Sequence, residues 1–379
     1  MIKTIVPICA LLLMLVGCQV KKESKQNSDP SEAVRIYKPK YAKGFSIKYF
    51  DGYKELVVNN PWDEKAEAEH FYLVHDTSVI SKLAQANGHI LTGPVTRWIP
   101  LSSTMINYVD LLNKKATICG VAESQYISDE YISQQVKSGV IRDVGMAFSP
   151  DFEVIVDLEP DFVMVSPFKD NNFSALKSAG IPIITNADYL EHTPLGRAEW
   201  MVFVAALLDA EDQAVGLFTT MEQNYLAAKA SAASAKKHPT VFTGHLYQGV
   251  WYTPAGESYM ANFLKDAGVN YIYKDSKGTG SLSLDFETIF DRAHQTDYWL
   301  FVVNYPGEFS YDAFREMDGR YADFKAFQEQ NVIMTNASTS LFYEKGVLQP
   351  DVILNDMIHA FHPELDPDYH SVYFFNLKQ

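Results

Sequence analysis

The run over residues 209–237 opens Asp209-Ala210-Glu211-Asp212 and closes Ala235-Lys236-Lys237, and it reads as one uninterrupted helix. Apolar or small residues recur at Val215, Phe218, Met221, Tyr225, Ala228 and Ala232. That three-and-four spacing draws a single stripe along a 3.6-residue period. Asp209 suits the N-cap, Glu211 and Asp212 load acid into the first turn, and Lys236-Lys237-His238 load base into the last. Both ends thus complement the helix dipole, and Pro239 stops the element. A rod of roughly 40 Å is long enough to tie two domains together.

The flanks carry one pattern twice. Ahead of the rod, strands are expected at 95–100, 116–121, 162–165 and 181–185, alternating with helices at 105–112, 151–158, 173–179 and 193–208. Beyond Pro239 come strands at 240–243, 271–273 and 299–303, with helices at 259–267, 285–293, 321–330 and 351–361. Strands that alternate with helices imply a parallel sheet. Residues 41–92 are strand-like, with a hairpin of 45–49 and 56–58 turning at Asp51-Gly52, expected at the edge of the first lobe.

Residue-level echoes strengthen the repeat. Asp151-Phe152-Glu153-Val154-Ile155 matches Asp285-Phe286-Glu287-Thr288-Ile289, and each is followed by an acid and a hydrophobic strand, at Asp161-Phe162 and Asp297-Tyr298. Further on, Thr185-Asn186-Ala187 matches Thr335-Asn336-Ala337, with an insertion in the second copy. Matches in the same order imply duplication. The fold class is therefore α/β, two Rossmann-like lobes with parallel sheets joined by one long helix.

Composition narrows the function. The chain has 379 residues, 47% hydrophobic and 21% charged, with a net charge of −15 and no basic cluster after residue 25. Nucleic acid is not an expected partner. Residues 1–17 have the layout of a secretory signal, and Leu15-Val16-Gly17-Cys18 resembles a bacterial lipobox. Cys18 would then be lipidated and hold the mature chain to a membrane on its extracytoplasmic side, periplasmic or cell-surface. Cys119 alone remains, inside an apolar run, and is expected to be a buried thiol. The expected organisation is a signal peptide at 1–17, a lipidated flexible tether at 18–40, a first lobe with its hairpin extension at 41–208, the connecting helix at 209–238 and a second lobe at 239–379.

Enzymatic motifs are scarce. No Gly-x-Ser-x-Gly elbow, His-Glu-x-x-His helix or glycine-rich phosphate loop occurs, and the ten histidines have no spacing that promises a metal site. No catalytic residue is assigned. Positions at strand carboxyl ends, where α/β sheets bind ligands, are more suggestive. They are Ser102, Ser103, Thr104, Tyr126, Ser166, Tyr247, Trp251, Tyr252 and Tyr305, with Arg197 and Arg97 as possible anion contacts. Trp251 and Tyr252 offer flat surface for a bulky ligand, or else pack in the core.

The run Glu153-Val154-Ile155-Val156-Asp157-Leu158-Glu159-Pro160-Asp161 and its echo at Glu287-Thr288-Ile289 resemble a motif of the helical-backbone (class III) substrate-binding proteins of ABC importers, which take up iron–siderophores, haem and cobalamin. Ser102-Ser103-Thr104 and the stretch from Pro194 to Trp200 are also similar to that family. The resemblance implies no intrinsic cofactor, a ferric chelate, haem or cobalamin as ligand, and an ABC permease and ATPase complex as partners. It also implies that Glu153 and Glu287 sit on the lobe tips and pair with permease arginines, and that the rigid rod keeps lobe rotation small. The first expectation is an iron–siderophore receptor, with cobalamin, haem or a free divalent metal as alternatives of the same class. A reading from another class is a secreted glycan hydrolase, which would need two acids facing each other across the crevice.

Overall fold

The computed structural model describes residues 33–63, 65–167 and 173–377. The long helix runs Glu211–Ala232, shorter at both ends than the expected 209–237. Asp209 does not cap it: the residue adopts a left-handed conformation at φ 52°. Its carboxylate instead accepts from Lys54 Nζ at 2.6 Å and lies 3.2 Å from His75 Nε2. At the other end the Ser234 hydroxyl donates to the Ser231 carbonyl at 2.7 Å, a local bond that competes with further helix. The stripe holds at Phe218, Tyr225, Ala228 and Ala232, which are buried, while Ala214 rather than Val215 turns inward near the start.

The helix is held between Pro194–Leu207 on one side and Pro350–Phe361 on the other. As far as Glu222 it bonds to earlier segments of the chain: Glu211 pairs with Lys54 at 2.7 Å, Gln213 Nε2 donates to the Leu111 carbonyl at 3.1 Å, and Glu222 holds Lys40 and Tyr41. Its second half bonds to later segments. Asn224 donates to Asp351 at 3.1 Å, and Tyr225 and Lys229 both reach Asp266 at 2.8 Å.

Each lobe has a parallel sheet of the same order. In the first, Trp98–Pro100 lies between a bridge at Ile118 and the strand Phe162–Val165, with Ile183–Thr185 beyond it. In the second, Thr240–Thr243 lies between Asn270–Tyr271 and Tyr298–Val303, with Val332–Asn336 next and an antiparallel Phe375–Asn376 at the edge. Numbered within each lobe, both orders read second, first, third, fourth. The duplication extends to single side chains. Asp161 Oδ2 accepts the Thr96 and Arg97 amides, and Asp297 Oδ2 accepts the Thr240 amide and hydroxyl, so each acid pins the start of its lobe's first strand. Asn186 and Asn336 each accept the amide two residues on, closing the turn after the fourth strand.

Two expected elements are broken. The strand at 116–121 becomes a 3₁₀ turn at Lys115–Thr117, the single bridge at Ile118 and the pair Gly120–Val121. The helix at 321–330 divides into a 3₁₀ turn, Gly319–Asp323, and a short helix, Lys325–Gln328, because Phe324 between them is extended. The insertion after residue 307 folds as the helix Tyr311–Met317, whose Phe314 packs against Trp299 at 4.5 Å.

Residues 45–50 and 53–58 form the expected hairpin, but it does not join the first lobe's sheet. It is the centre of a separate five-stranded sheet that runs in chain order from Arg35–Tyr37 to His89–Thr92. A tether reaching residue 40 is therefore too long, because 35–37 pair with 47–49. Two buried carboxylates from the first lobe clasp this unit. Glu199 accepts the amides of Lys40, Tyr41 and Ala42 and the Tyr37 hydroxyl, all at 2.8–2.9 Å. Glu191 accepts the amides of Lys43 and Gly44 and the Trp200 indole N–H. Gly44 makes this approach possible, since a Cβ there would lie 2.5 Å from the Trp200 ring.

Candidate functional site

Segments that follow strand ends in one lobe touch segments that follow strand ends in the other. Asn107 Nδ2 donates to the Lys345 carbonyl at 3.1 Å, and the Ser128 amide donates to the Glu344 carboxylate at 3.3 Å. Asn262 Nδ2 donates to the His192 carbonyl at 2.8 Å, and the Arg197 guanidinium lies over the Tyr259 ring at 4.8 Å. A crevice of about 250 Å³ opens at the first of these junctions, lined by Ser103, Asn107 and Asp129 from one lobe and Leu341, Glu344 and Lys345 from the other. Its acids outnumber its bases, with Asp110 and Glu130 also on the wall.

Beneath the lobe contact lies a buried polar cluster. Arg197 Nε donates to Asp188 Oδ2 at 3.0 Å, with both side chains largely enclosed. Burial opposes the charge, but Tyr259 and Asp188 hold the guanidinium above its ordinary pKa. Arg197, Tyr259, Phe342 and Tyr343 line a narrow cavity between the lobes. Arg197 therefore supports the floor of the interface, and only its exposed edge is open to a ligand.

The other expected contacts scatter. Ser102 Oγ and Thr104 Oγ1 bond each other at 2.9 Å, and Ser103 stands at the N-cap of Thr104–Leu111 without a side-chain cap bond, leaving its hydroxyl to the crevice. Ser166 lines a different cavity, beside the five-stranded sheet. Tyr126, Tyr247 and Tyr252 are exposed. Tyr305 is half-buried, its backbone bonded to Asn336 and its ring against Phe309 at 5.1 Å. Trp251 is not available to a ligand: it is fully buried among Phe242, Trp299 and Tyr321, with its indole N–H on the Thr243 carbonyl. Arg97 is also committed, donating twice to the Leu158 carbonyl at the end of a helix. Cys18 lies outside the described residues. Cys119 is buried, and burial pushes its thiol up to about 11.

Glu153 and Glu287 occupy equivalent places. Each is the second residue of a helix, Phe152–Leu158 or Phe286–Ala293, whose aspartate N-cap bonds first-turn amides. Ile155 and Ile289 anchor those helices in the two cores. Both glutamates are exposed, with Arg320 Nη1 4.0 Å from Glu287.

A family model described as periplasmic binding protein matches residues 101–339. The chain belongs to the periplasmic binding protein family. An uncharacterised lipoprotein of Methanocaldococcus jannaschii is 28% identical over 93% of this chain and 90% of its own length. A periplasmic heme-binding protein from Roseiflexus sp. RS-1 in apo form has a TM-score of 0.56 at 19% identity, over 72% of this chain and 100% of its own. An ABC-type Fe3+-hydroxamate transport system protein from Saccharomonospora viridis has a TM-score of 0.54 at 17% identity, over 71% of this chain and 94% of its own. The architecture is that of a class III periplasmic binding protein. In this periplasmic binding protein no described helix is long and apolar enough to cross a membrane. Among the described residues no three His, Cys, Asp or Glu side chains gather as a bare cation would require.

Several site residues of this binding protein escape sequence reasoning. Tyr343, Glu344 and Lys345 reach the first lobe because Leu341, left-handed at φ 56°, turns the chain just before them. His192 meets Asn262, and Tyr259 meets Arg197, only through the lobe contact. No local spacing signals either.

Proposed function

We propose that this protein is the extracytoplasmic receptor of an ABC importer, held to its membrane by a lipidated Cys18, that captures a bulky iron chelate between its lobes and delivers it to the permease. The observation that carries this is the junction of two equivalent lobes, where Ser103, Asn107 and Ser128 meet Glu344 and Lys345 around a crevice. A ligand lodged there would be gripped by both lobes at once, so its presence would be legible to a partner that contacts both tips. Glu153 and Glu287 are the residues for that contact, since exposed carboxylates accept bidentate arginine bonds that fix orientation. The heme and Fe3+-hydroxamate named for the two structural neighbours support an iron–siderophore or haem as ligand. Cobalamin belongs to the same size class. The lipoprotein name of the archaeal relative supports the anchor.

Equilibrium dialysis of the full chain in detergent against a ferric hydroxamate, haem and cobalamin tests the reading. Saturable binding of one of them at about one per chain is expected. Absence of saturable binding to all three would reject it.

A further inference from the structure

The two spaces described between the lobes are each too small for a bulky guest. The crevice at Ser103 and Glu344 holds about 250 Å³, and the narrow cavity at Arg197 and Tyr259 about 20 Å³. Sites for compact organic ligands run to roughly 300–1,000 Å³. A larger cavity, of about 1030 Å³, is walled by residues between 307 and 377 and so belongs to the second lobe alone.

One short segment divides the two inter-lobe spaces. Leu341, Glu344 and Lys345 line the crevice, and Phe342, Tyr343 and Gly346 line the narrow cavity, so every residue from 341 to 346 is a wall of one or the other. The segment is the single-turn helix Phe342–Lys345 with one residue on either side. First-lobe residues border both spaces, Asn107 and Ser128 on one side of the helix, Pro194 and Arg197 on the other. With the turn withdrawn, crevice and cavity become one chamber that touches both lobes.

The turn is anchored unequally. Toward the second lobe Phe342 is buried, its ring 5.2 Å from Phe374 and 5.9 Å from Tyr373. Toward the first lobe the polar grip is light. Asn107 Nδ2 donates to the Lys345 carbonyl at 3.1 Å, and the Ser128 amide is shared between the two Glu344 oxygens at 3.3 Å each, long for such a bond. Tyr343 between these anchors is 54% exposed. No side chain caps the turn, and a helix of one turn is marginal by itself. Leu341 ahead of it is left-handed at φ 56°, a conformation that strains a residue with a side chain. Residues 343–345 can therefore yield while Phe342 stays seated, with no bend required of the connecting helix Glu211–Ala232.

We propose that the guest's site is this joined chamber and that residues 343–345 are its plug, unwinding from Phe342 as the guest enters. This rests on the receptor reading above and adds to it how room is made. Asn107→Cys with Lys345→Cys, closed to a disulfide by oxidation, ties the plug to the first lobe, since the side chain of one already meets the backbone of the other. Equilibrium dialysis of the full chain in detergent against a ferric hydroxamate, haem and cobalamin compares the oxidised and reduced forms.

The oxidised form is expected to bind at least about a hundredfold more weakly than the reduced one. Hydrogen exchange of the wild type gives a second readout that needs no substitution. The amides of Glu344 and Lys345 donate to the Leu341 carbonyl at 3.1 and 2.8 Å, so unwinding at that residue frees them, and both are expected to exchange faster with a probe bound. Equal affinity of the oxidised and reduced forms, or exchange at these two amides that binding leaves unchanged or slows, overturns the plug while leaving the receptor reading intact. A wild type that binds none of the three probes overturns both.

Discussion

The Glu199 carboxylate accepts the Ala42 amide at 2.9 Å from 157 positions away in the chain, inside the first lobe's buried core. With Lys40, Tyr41 and Tyr37 on the same two oxygens, it is one buried attachment of the five-stranded sheet. Glu199→Ala should therefore cost about 3 kcal/mol, since several enclosed donors lose their acceptor at once. Urea unfolding measures this, and limited proteolysis should show new cleavage over residues 37–44. Glu199→Gln, which keeps one acceptor oxygen, should fall between the two.

The twin pins should behave unequally. Asp161→Ala frees amides near solvent and is expected to cost about 1 kcal/mol, whereas Asp297→Ala frees the half-buried Thr240 donors and the Lys325 ammonium and should cost about 2 kcal/mol. The sites sit in different lobes, so the double variant should lose the sum within about 0.5 kcal/mol. Urea midpoints of the three variants check this.

Permease docking predicts a separation of functions. Glu153→Ala with Glu287→Ala should leave the dissociation constant for ligand unchanged while lowering uptake by at least about tenfold. Unaltered uptake in the double variant would remove these residues from the docking surface.

Two buried histidines should make the fold sensitive to acid. Burial holds both His245 and His362 below the ordinary histidine pKa, so each stays neutral in the folded state while its unfolded counterpart protonates. The unfolded chain then binds more protons as pH falls below about 6.5, and stability drops with it, by at most about 1.4 kcal/mol per pH unit per group. Thermal midpoints should fall between pH 7 and pH 5. His362→Gln, which can still donate to the Ala267 carbonyl, should flatten that slope.

What could be read from sequence was local chemistry. The helices expected from 151, 193 and 285 start one residue later, with Asp151, Thr193 and Asp285 as their N-caps, whereas the expected cap Asp209 does not cap its helix. The repeated Asp-Phe-Glu and Thr-Asn-Ala runs marked equivalent places in two sheets. Trp251 was misplaced by a rule that knows strand ends but not strand faces. Alternation turns Trp251 and Thr253 inward and leaves Tyr252 between them in solvent. The clasp by Glu191 and Glu199 and the return of Glu344 onto Ser128 span more than a hundred residues each, and no window along the chain contains both partners.

The connecting helix changes allegiance within a single turn: Glu222 is bonded to residues before it, Asn224 and Tyr225 to residues after it. The five-stranded unit is thereby stapled to the start of one stiff shaft and the second lobe to its end, and the shaft has no proline at which to bend. A shaft without a built-in kink keeps the bonds on either side of residue 223 in one fixed relation for as long as the helix stays whole.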